Sequence, residues 1–145
     1  MATYVVDASV ITQVLITDTD TPRAIALFRQ IKPSDRIHVP EFCRLECANA
    51  LWKQVRFQGM PQTEAEQPAD DLLALPLRVI PVTGLLKQAL PIGLANQLAL
   101  YDSVYIALAH HLDCPLITAD QRQLRAALTA GIAAKPITDF LIPGT

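Results

Sequence analysis

At 145 residues, 51% of them hydrophobic and 18% charged, the chain has the size of one ordinary domain and can bury roughly 68–70% of the surface its unfolded form exposes. No apolar run is long enough to cross a bilayer, and the start, MATYVVDASV, lacks the basic segment and long apolar stretch of an export signal; no membrane span and a cytoplasmic setting are expected. A formal net charge of −2 gives no general attraction for polyanions, although carboxylates loaded with divalent cations do present a positive face to phosphate.

Strand-like and helix-like segments alternate along the chain. Tyr4 to Val6 is an apolar run ending in Asp7, and the VITQVLI that follows is helical, with Val10, Val14 and Leu15 on one face. After a polar break from Asp18, Thr21 and Pro22 supply a cap and a first-turn proline for the helix RAIALFRQIK. A turn over Pro33 to Arg36 leads to a brief strand, Ile37 to Val39. Pro40 opens a long amphipathic helix that runs to about Gln58 and is closed by Gly59. Its expected buried stripe is Leu45, Ala48, Asn49 and Trp52, with Glu46 beside it.

Met60 to Pro76 reads as helix, begun or kinked at Pro68, and Leu77 to Val82 as strand. LLKQALPIGLANQLAL is helical in composition but carries Pro91 and Gly93, so two pieces or a bend near Pro91 are expected. The helix Tyr101 to Leu112, with a stripe of Val104, Tyr105, Leu108 and Leu112, ends at Asp113 to Pro115. Pro115 to Thr118 is a strand, QRQLRAALTAG a helix closed by Gly131, and Lys135 to Thr138 a last short strand before a tail with Pro143 and Gly144. These strands are too apolar to leave one face wet, which marks a mostly parallel sheet covered on both sides: a three-layer α/β/α sandwich spanning residues 1–145 as one domain.

The three cysteines, Cys43, Cys47 and Cys114, are an odd count without an export signal, which argues against a disulfide framework. Cys43 and Cys47 are one turn apart but have no third ligand at metal spacing, so small core residues are expected. His110 and His111 adjoin at a helix end and read as surface residues that suit the helix dipole.

Sites in parallel sheets gather outside the carboxyl ends of the strands, and Asp7 and Asp120 both follow strands. Facing one another, they repel, and a bound cation is the simplest way to keep both ionised at neutral pH. Oxygen ligands select a hard ion, Mg²⁺ or Mn²⁺, and Ser9 and Thr118, each two residues from an acid, offer hydroxyls to its shell. Taken singly, Asp7, Asp102 and Asp120 read as well as helix caps as they do as ligands, and Glu46 reads by default as a solvated surface residue. Only the set favours a site.

The set resembles the PIN-domain nucleases, in particular the small VapC-like ribonuclease toxins of prokaryotic toxin–antitoxin pairs. VVDASV is similar to the first strand with Asp7, ECANAL to the helix carrying Glu46 and Asn49, YDSVYIALA to the third motif with Asp102, and LITAD to the fourth with Thr118 and Asp120. Ala119 stands where many members carry a further polar residue. The resemblance implies a metal-dependent endoribonuclease in which Asp7, Glu46, Asp102 and Asp120 hold Mg²⁺ or Mn²⁺, directly or through water, for in-line hydrolysis of a phosphodiester. It further implies an RNA substrate, a homodimer, and a cognate antitoxin that places a basic side chain in the acidic pocket. Lys53, Arg56 and Arg122 are candidates for holding flanking phosphates, and Leu15, Leu27, Phe28 and Trp52 for partner surfaces.

Two other classes remain at this point. A haloacid dehalogenase-type phosphotransfer domain also places an aspartate after the first strand, but wants a second acid where Ser9 stands. A PIN-like fold that binds RNA or protein without cutting would keep the acids as structural residues.

Overall fold

Apolar runs of three to five residues, separated by helices rather than by tight turns, have no hairpin partner and pair in parallel across crossover connections. The computed structural model describes residues 2–139; the tail around Pro143 and Gly144 lies outside them. Strands β1 (Thr3–Val6), β2 (Arg36–Pro40), β3 (Leu77–Ile80), β4 (Leu116–Thr118) and β5 (Ala134–Pro136) form one sheet in the order β3-β2-β1-β4-β5, parallel throughout. The helices are α1 (Ala8–Leu15), α2 (Thr21–Gln30), α3 (Cys43–Phe57), α4 (Gln62–Ala74), α5 (Leu86–Asn96), α6 (Leu100–Leu112) and α7 (Gln121–Thr129).

Helix α1 packs on α2, α3 and α4, whereas α6 packs on α5, on α7 and on β1, β2 and β4. Right-handed crossovers put these groups on opposite faces, which is the expected three-layer sandwich. The chain leaves β1 toward β2 on one side and returns to β4 on the other, so the strand order reverses between β1 and β4. Such a reversal opens a crevice beyond the carboxyl ends of the two strands. No helix among the described residues is long and apolar enough to cross a membrane.

Helix α6 is the centre of the core. Ser103 through Ala109 are all buried, so this helix is apolar all round rather than on the single stripe expected, as suits an element enclosed by a sheet and two other helices. Gly93 lets α5 approach it: a Cβ there would lie 2.8 Å from Ser103 Oγ and 2.9 Å from the Leu98 carbonyl. That contact fixes the start of α6, where Asp102 stands.

Three local expectations are corrected. The buried face of α3 is Cys43, Cys47 and Leu51, not the stripe of Leu45, Ala48, Asn49 and Trp52; Leu45 is 72% and Trp52 55% exposed. Apolar residues lie on two sides of this helix, and the close approach to its neighbours selects the side with small cysteines. Pro40 ends β2 rather than opening α3. Pro68 and Pro91 both lie inside continuous helices, so no helix begins at Pro68 and α5 is one piece rather than two; packing of these helices against the core offsets the roughly 3 kcal/mol that an interior proline costs. The three cysteines are free and buried, as expected.

Candidate acidic site

The residues that follow β1 and β4 are held level with one another. Val5 pairs with Leu116 and Val6 with Ile117, and the Asp7 amide donates to the Ile117 carbonyl at 2.9 Å. The two hydroxyls tie the junction together: the Ala119 amide donates to Ser9 Oγ at 3.1 Å, the Asp120 amide to Thr118 Oγ1 at 2.9 Å, and the hydroxyls lie 3.5 Å apart. Ser9 and Thr118 thus spend acceptor capacity on the backbone that presents the two acids.

Both aspartates are helix caps. Asp7 Oδ2 accepts from the Ser9 amide at 3.0 Å at the start of α1, and Asp120 Oδ1 accepts from the amides of Arg122 and Gln123 at 2.9 and 3.3 Å at the start of α7. Capping uses only part of a carboxylate's acceptor capacity, so the cap and ligand readings are compatible. Asp102 caps nothing: the N-cap of α6 is Ala99, and Asp102 is in the first turn, where the helix dipole favours a negative charge.

Glu46 is half-buried, not a solvated surface residue, and its Oε1 accepts from the Tyr105 hydroxyl at 2.9 Å. Phe42 packs edge-on against Tyr101 and Tyr105, with ring centroids 5.2 and 5.8 Å away, which seats the start of α3 against α6. The aromatic contacts thereby bring Glu46 to the same crevice from the far side.

Electrostatics joins the four acids into one group. Burial holds the Asp7 carboxyl above its ordinary value, with the Asp120 charge adding to the effect and hydrogen bonds from Ser9 and Gln123 opposing it. Asp102 is pushed up to about 6, first by burial and then by Asp7 and Asp120, against the opposing charge of Arg122. Glu46 is pushed up to about 7 by burial and by Asp7 and Asp102, against the Tyr105 hydrogen bond. Burial and like charges both penalise the ionised forms, so the pocket favours the arrival of a proton or a cation.

Replacing Tyr105 with phenylalanine is expected to keep the fold, since the ring fills the same space, and to remove a bond that favours ionised Glu46. A hydrogen bond to a charged group contributes about 1.5–3 kcal/mol, so the acidic limb of any pH–activity profile governed by Glu46 should move upward by about one to two pH units. Turnover measured across pH checks this; an unmoved limb would separate Glu46 from the activity.

Among the candidate phosphate contacts, only Arg122 reaches this region: it acts on Asp102 and donates to the Gln97 carbonyl at 2.7 Å. Lys53 is two turns of α3 beyond Glu46, about 10 Å along the axis, and Arg56 stacks over the Phe57 ring at 5.1 Å. His110 is exposed, as expected, and pairs with Gln88 at 2.7 Å.

Two partners of the acids were not singled out from the sequence. Tyr105 reads there only as core. Gln123 is fully buried and its Nε2 donates to Asp7 Oδ1 and to the Asp102 carbonyl, each at 3.1 Å, while its Oε1 has no partner. An orphaned buried acceptor costs about 1–3 kcal/mol. The available signal, a glutamine three residues after an aspartate, is the pattern of a capping box and points elsewhere.

The PIN domain pattern matches residues 4–128. Ribonuclease VapC9 of Mycobacterium tuberculosis is 32% identical over 118 residues, covering 81% of this chain and 86% of that protein. In fold, the chain is similar to the crystal structure of PAE2754 from Pyrobaculum aerophilum, with a TM-score of 0.71 at 19% identity over 95% of this chain and 91% of that one. It is also similar to VapBC2 from Rickettsia felis bound to a DNA fragment from their promoter, with a TM-score of 0.65 at 11% identity over 92% and 98%.

Proposed function

This chain belongs to the PIN-domain family, among the VapC ribonucleases, and from that premise we propose that it is a divalent-metal-dependent endoribonuclease acting as the toxin of a toxin–antitoxin pair. The observation that carries the reading is the meeting of the acids where the strand order reverses: paired β1 and β4 hold Asp7 and Asp120 level, Gln123 joins Asp7 to the turn that carries Asp102, and the charges of Asp7 and Asp102 act on Glu46. A phosphotransfer domain of the haloacid dehalogenase kind is set aside by the family match, and no contact in the pocket favours a silent binding domain.

The donor set fits Mg²⁺ or Mn²⁺. All four side chains offer oxygen only, and the raised proton affinities of Asp7, Glu46 and Asp102 express a need for positive charge. Among the described residues no three His, Cys, Asp or Glu side chains stand close enough together to ligate one ion directly. That matches the preference of Mg²⁺ for one or two carboxylates with waters filling the rest of its shell. Asp7, Asp102 and Asp120 would hold the ion together, no more than two of them directly and the rest through water. When bound, such an ion supplies charge neutralisation at the phosphate and an acidified water. Glu46, pushed up to about 7, is matched to take a proton from the attacking water near neutral pH, and Tyr105 orients it.

RNA must present an unpaired or looped backbone to reach a crevice of this kind, with Arg122 placed to meet a flanking phosphate. The test is cleavage of a defined single-stranded RNA with Mg²⁺ or Mn²⁺. The wild type should cut, excess chelator should abolish cutting, and Asp7→Asn should lower it by about 10³-fold. A wild type that cuts nothing, or a mutant that cuts equally well, sinks the proposal.

We infer two partners. A homodimer is supported by exposed apolar side chains, with Leu45 at 72%, Trp52 at 55% and Phe57 at 62%, all on α3. Leu15 and Leu27, considered for partner surfaces from the sequence, are instead core residues at 7% and 1%. Light scattering over rising concentration checks the dimer, a persistent 15.9 kDa species counting against it. The antitoxin is supported by the fold shared with VapBC2; a small protein encoded beside this gene should suppress RNA cleavage when co-expressed, and its failure to do so would count against the pairing.

A further inference from the structure

Gln123 sits in the first turn of α7 and joins three elements that approach the pocket from different directions. A glutamine three residues after a capping aspartate ordinarily turns back to the amide of the cap residue. Here that amide is already taken by Thr118 Oγ1 at 2.9 Å, and the Gln123 side chain runs inward instead. Its Nε2 donates to Asp7 Oδ1, at the end of β1, and to the carbonyl of Asp102, at the start of α6, at 3.1 Å each.

Both partners are acceptors, so the orientation of the amide is fixed: the nitrogen must face them, and Oε1 is left buried with nothing to accept from. Buried polar atoms without partners are uncommon and call for a compensating role. The role visible in the geometry is restraint. Asp7 Oδ2 is held by the Ser9 amide at 3.0 Å and Oδ1 by Gln123, so the carboxylate is pinned at both oxygens and cannot turn about its own bond. The second donation ties that pinned carboxylate to the turn of helix that carries Asp102.

We propose that Gln123 is a positioning residue of the acidic pocket, a clamp that fixes the Asp7 carboxylate against the first turn of α6 and thereby sets the spacing at which Asp7 and Asp102 meet an ion. The clamp itself stands on the hydrogen bonds; only its purpose rests on the nuclease reading. A partner that orients a metal-binding carboxylate typically contributes about 10–100-fold in metal affinity or activity.

The test compares the wild type with Gln123→Leu, which keeps approximate size and removes both donors. Hydrogen exchange should speed up about tenfold or more at the Ser103 amide, which makes the first hydrogen bond of α6 to the Ala99 carbonyl, beyond any uniform change that a lower melting temperature brings. The Mn²⁺ dissociation constant, titrated without RNA, should rise about 10–100-fold, and kcat should fall in proportion with KM for RNA held within about threefold. A folded Gln123→Leu protein with unchanged exchange and unchanged Mn²⁺ affinity overturns the proposal. Should that variant not fold, the wild type still decides: the Gln123 side-chain amide protons, followed by NMR, should exchange far more slowly than those of an exposed glutamine, and exchange at the exposed rate overturns the clamp. A protected amide and a loosened variant in a wild type that binds no Mn²⁺ and cuts no RNA would support the clamp and sink the nuclease reading instead.

Discussion

Asp102→Asn is expected to abolish RNA cleavage and, at the same time, to raise the melting temperature of the metal-free protein. Asp102 is half-buried and pushed up to about 6 by burial and by its acidic neighbours, so at neutral pH its ionised form opposes folding. Asparagine has the same shape without the charge, and its introduction also relieves Asp7 and Glu46 of a like charge. After allowance for solvent screening of a partly exposed group, the gain is about 1 kcal/mol, or about 2–4 °C for a chain of this size. Cleavage should fall about 10³-fold, because on the proposed function a ligand and a source of transition-state electrostatics are lost together. Saturating Mn²⁺ should then reverse the ranking: an ion at a hundred times its dissociation constant stabilises by about 2.7 kcal/mol, and the wild type gains this where the variant does not. Thermal melts with and without Mn²⁺, beside a cleavage assay, make the check. A variant that melts lower than the wild type without metal, or cuts within about threefold of it, would contradict this account.

The affinity for metal should rise steeply with pH while the stability of the metal-free protein falls. Asp7 is held above its ordinary value, Asp102 is pushed up to about 6 and Glu46 up to about 7. For acids raised in this way the native state binds more protons than the unfolded one in the window between the ordinary and the raised values. Stability from these groups is therefore highest below that window and is lost as pH rises through it. An ion competes with the same protons, so binding releases them and strengthens as they leave. Between about pH 5.5 and about pH 7.5 the Mn²⁺ dissociation constant should fall about 10–100-fold, up to tenfold per pH unit for each proton displaced. Calorimetric titration in two buffers of different ionisation enthalpy counts those protons directly. A dissociation constant flat across the window, with no proton release, would place the ion elsewhere. Tyr105→Phe should carry the Glu46 part of this dependence to higher pH, which ties the two measurements together.

The acids of the proposed site drew attention because most of them stand at places the sequence marks. Asp7 and Asp120 follow apolar runs that form β1 and β4, which places these two acids at one edge of the sheet, and Asp102 stands in the first turn of the helix that leads into β4. Glu46 was harder. Its helix is apolar on two sides, and periodicity selected the side of Leu45 and Trp52, which is exposed; only the resemblance to PIN nucleases moved Glu46 into the site. That α4 and α5 each run on as one helix through Pro68 and Pro91 was not legible for a related reason, since local propensity cannot register the packing that carries them.

What the sequence by itself determined is therefore the alternation of strand and helix, the parallel sheet it entails, and the edge at which the acids gather, all of which follow from local periodicity and the handedness of crossovers. What only the tertiary structure decided is which groups surround those acids. Tyr105 on Glu46, Gln123 on Asp7 and the paired hydroxyls of Ser9 and Thr118 join residues 59, 116 and 109 positions apart. No local pattern encodes such contacts. They exist because the reversal of strand order between β1 and β4 opens a crevice that α3, α6 and α7 then line, and there the proton affinities of the acids are set by burial and mutual charge.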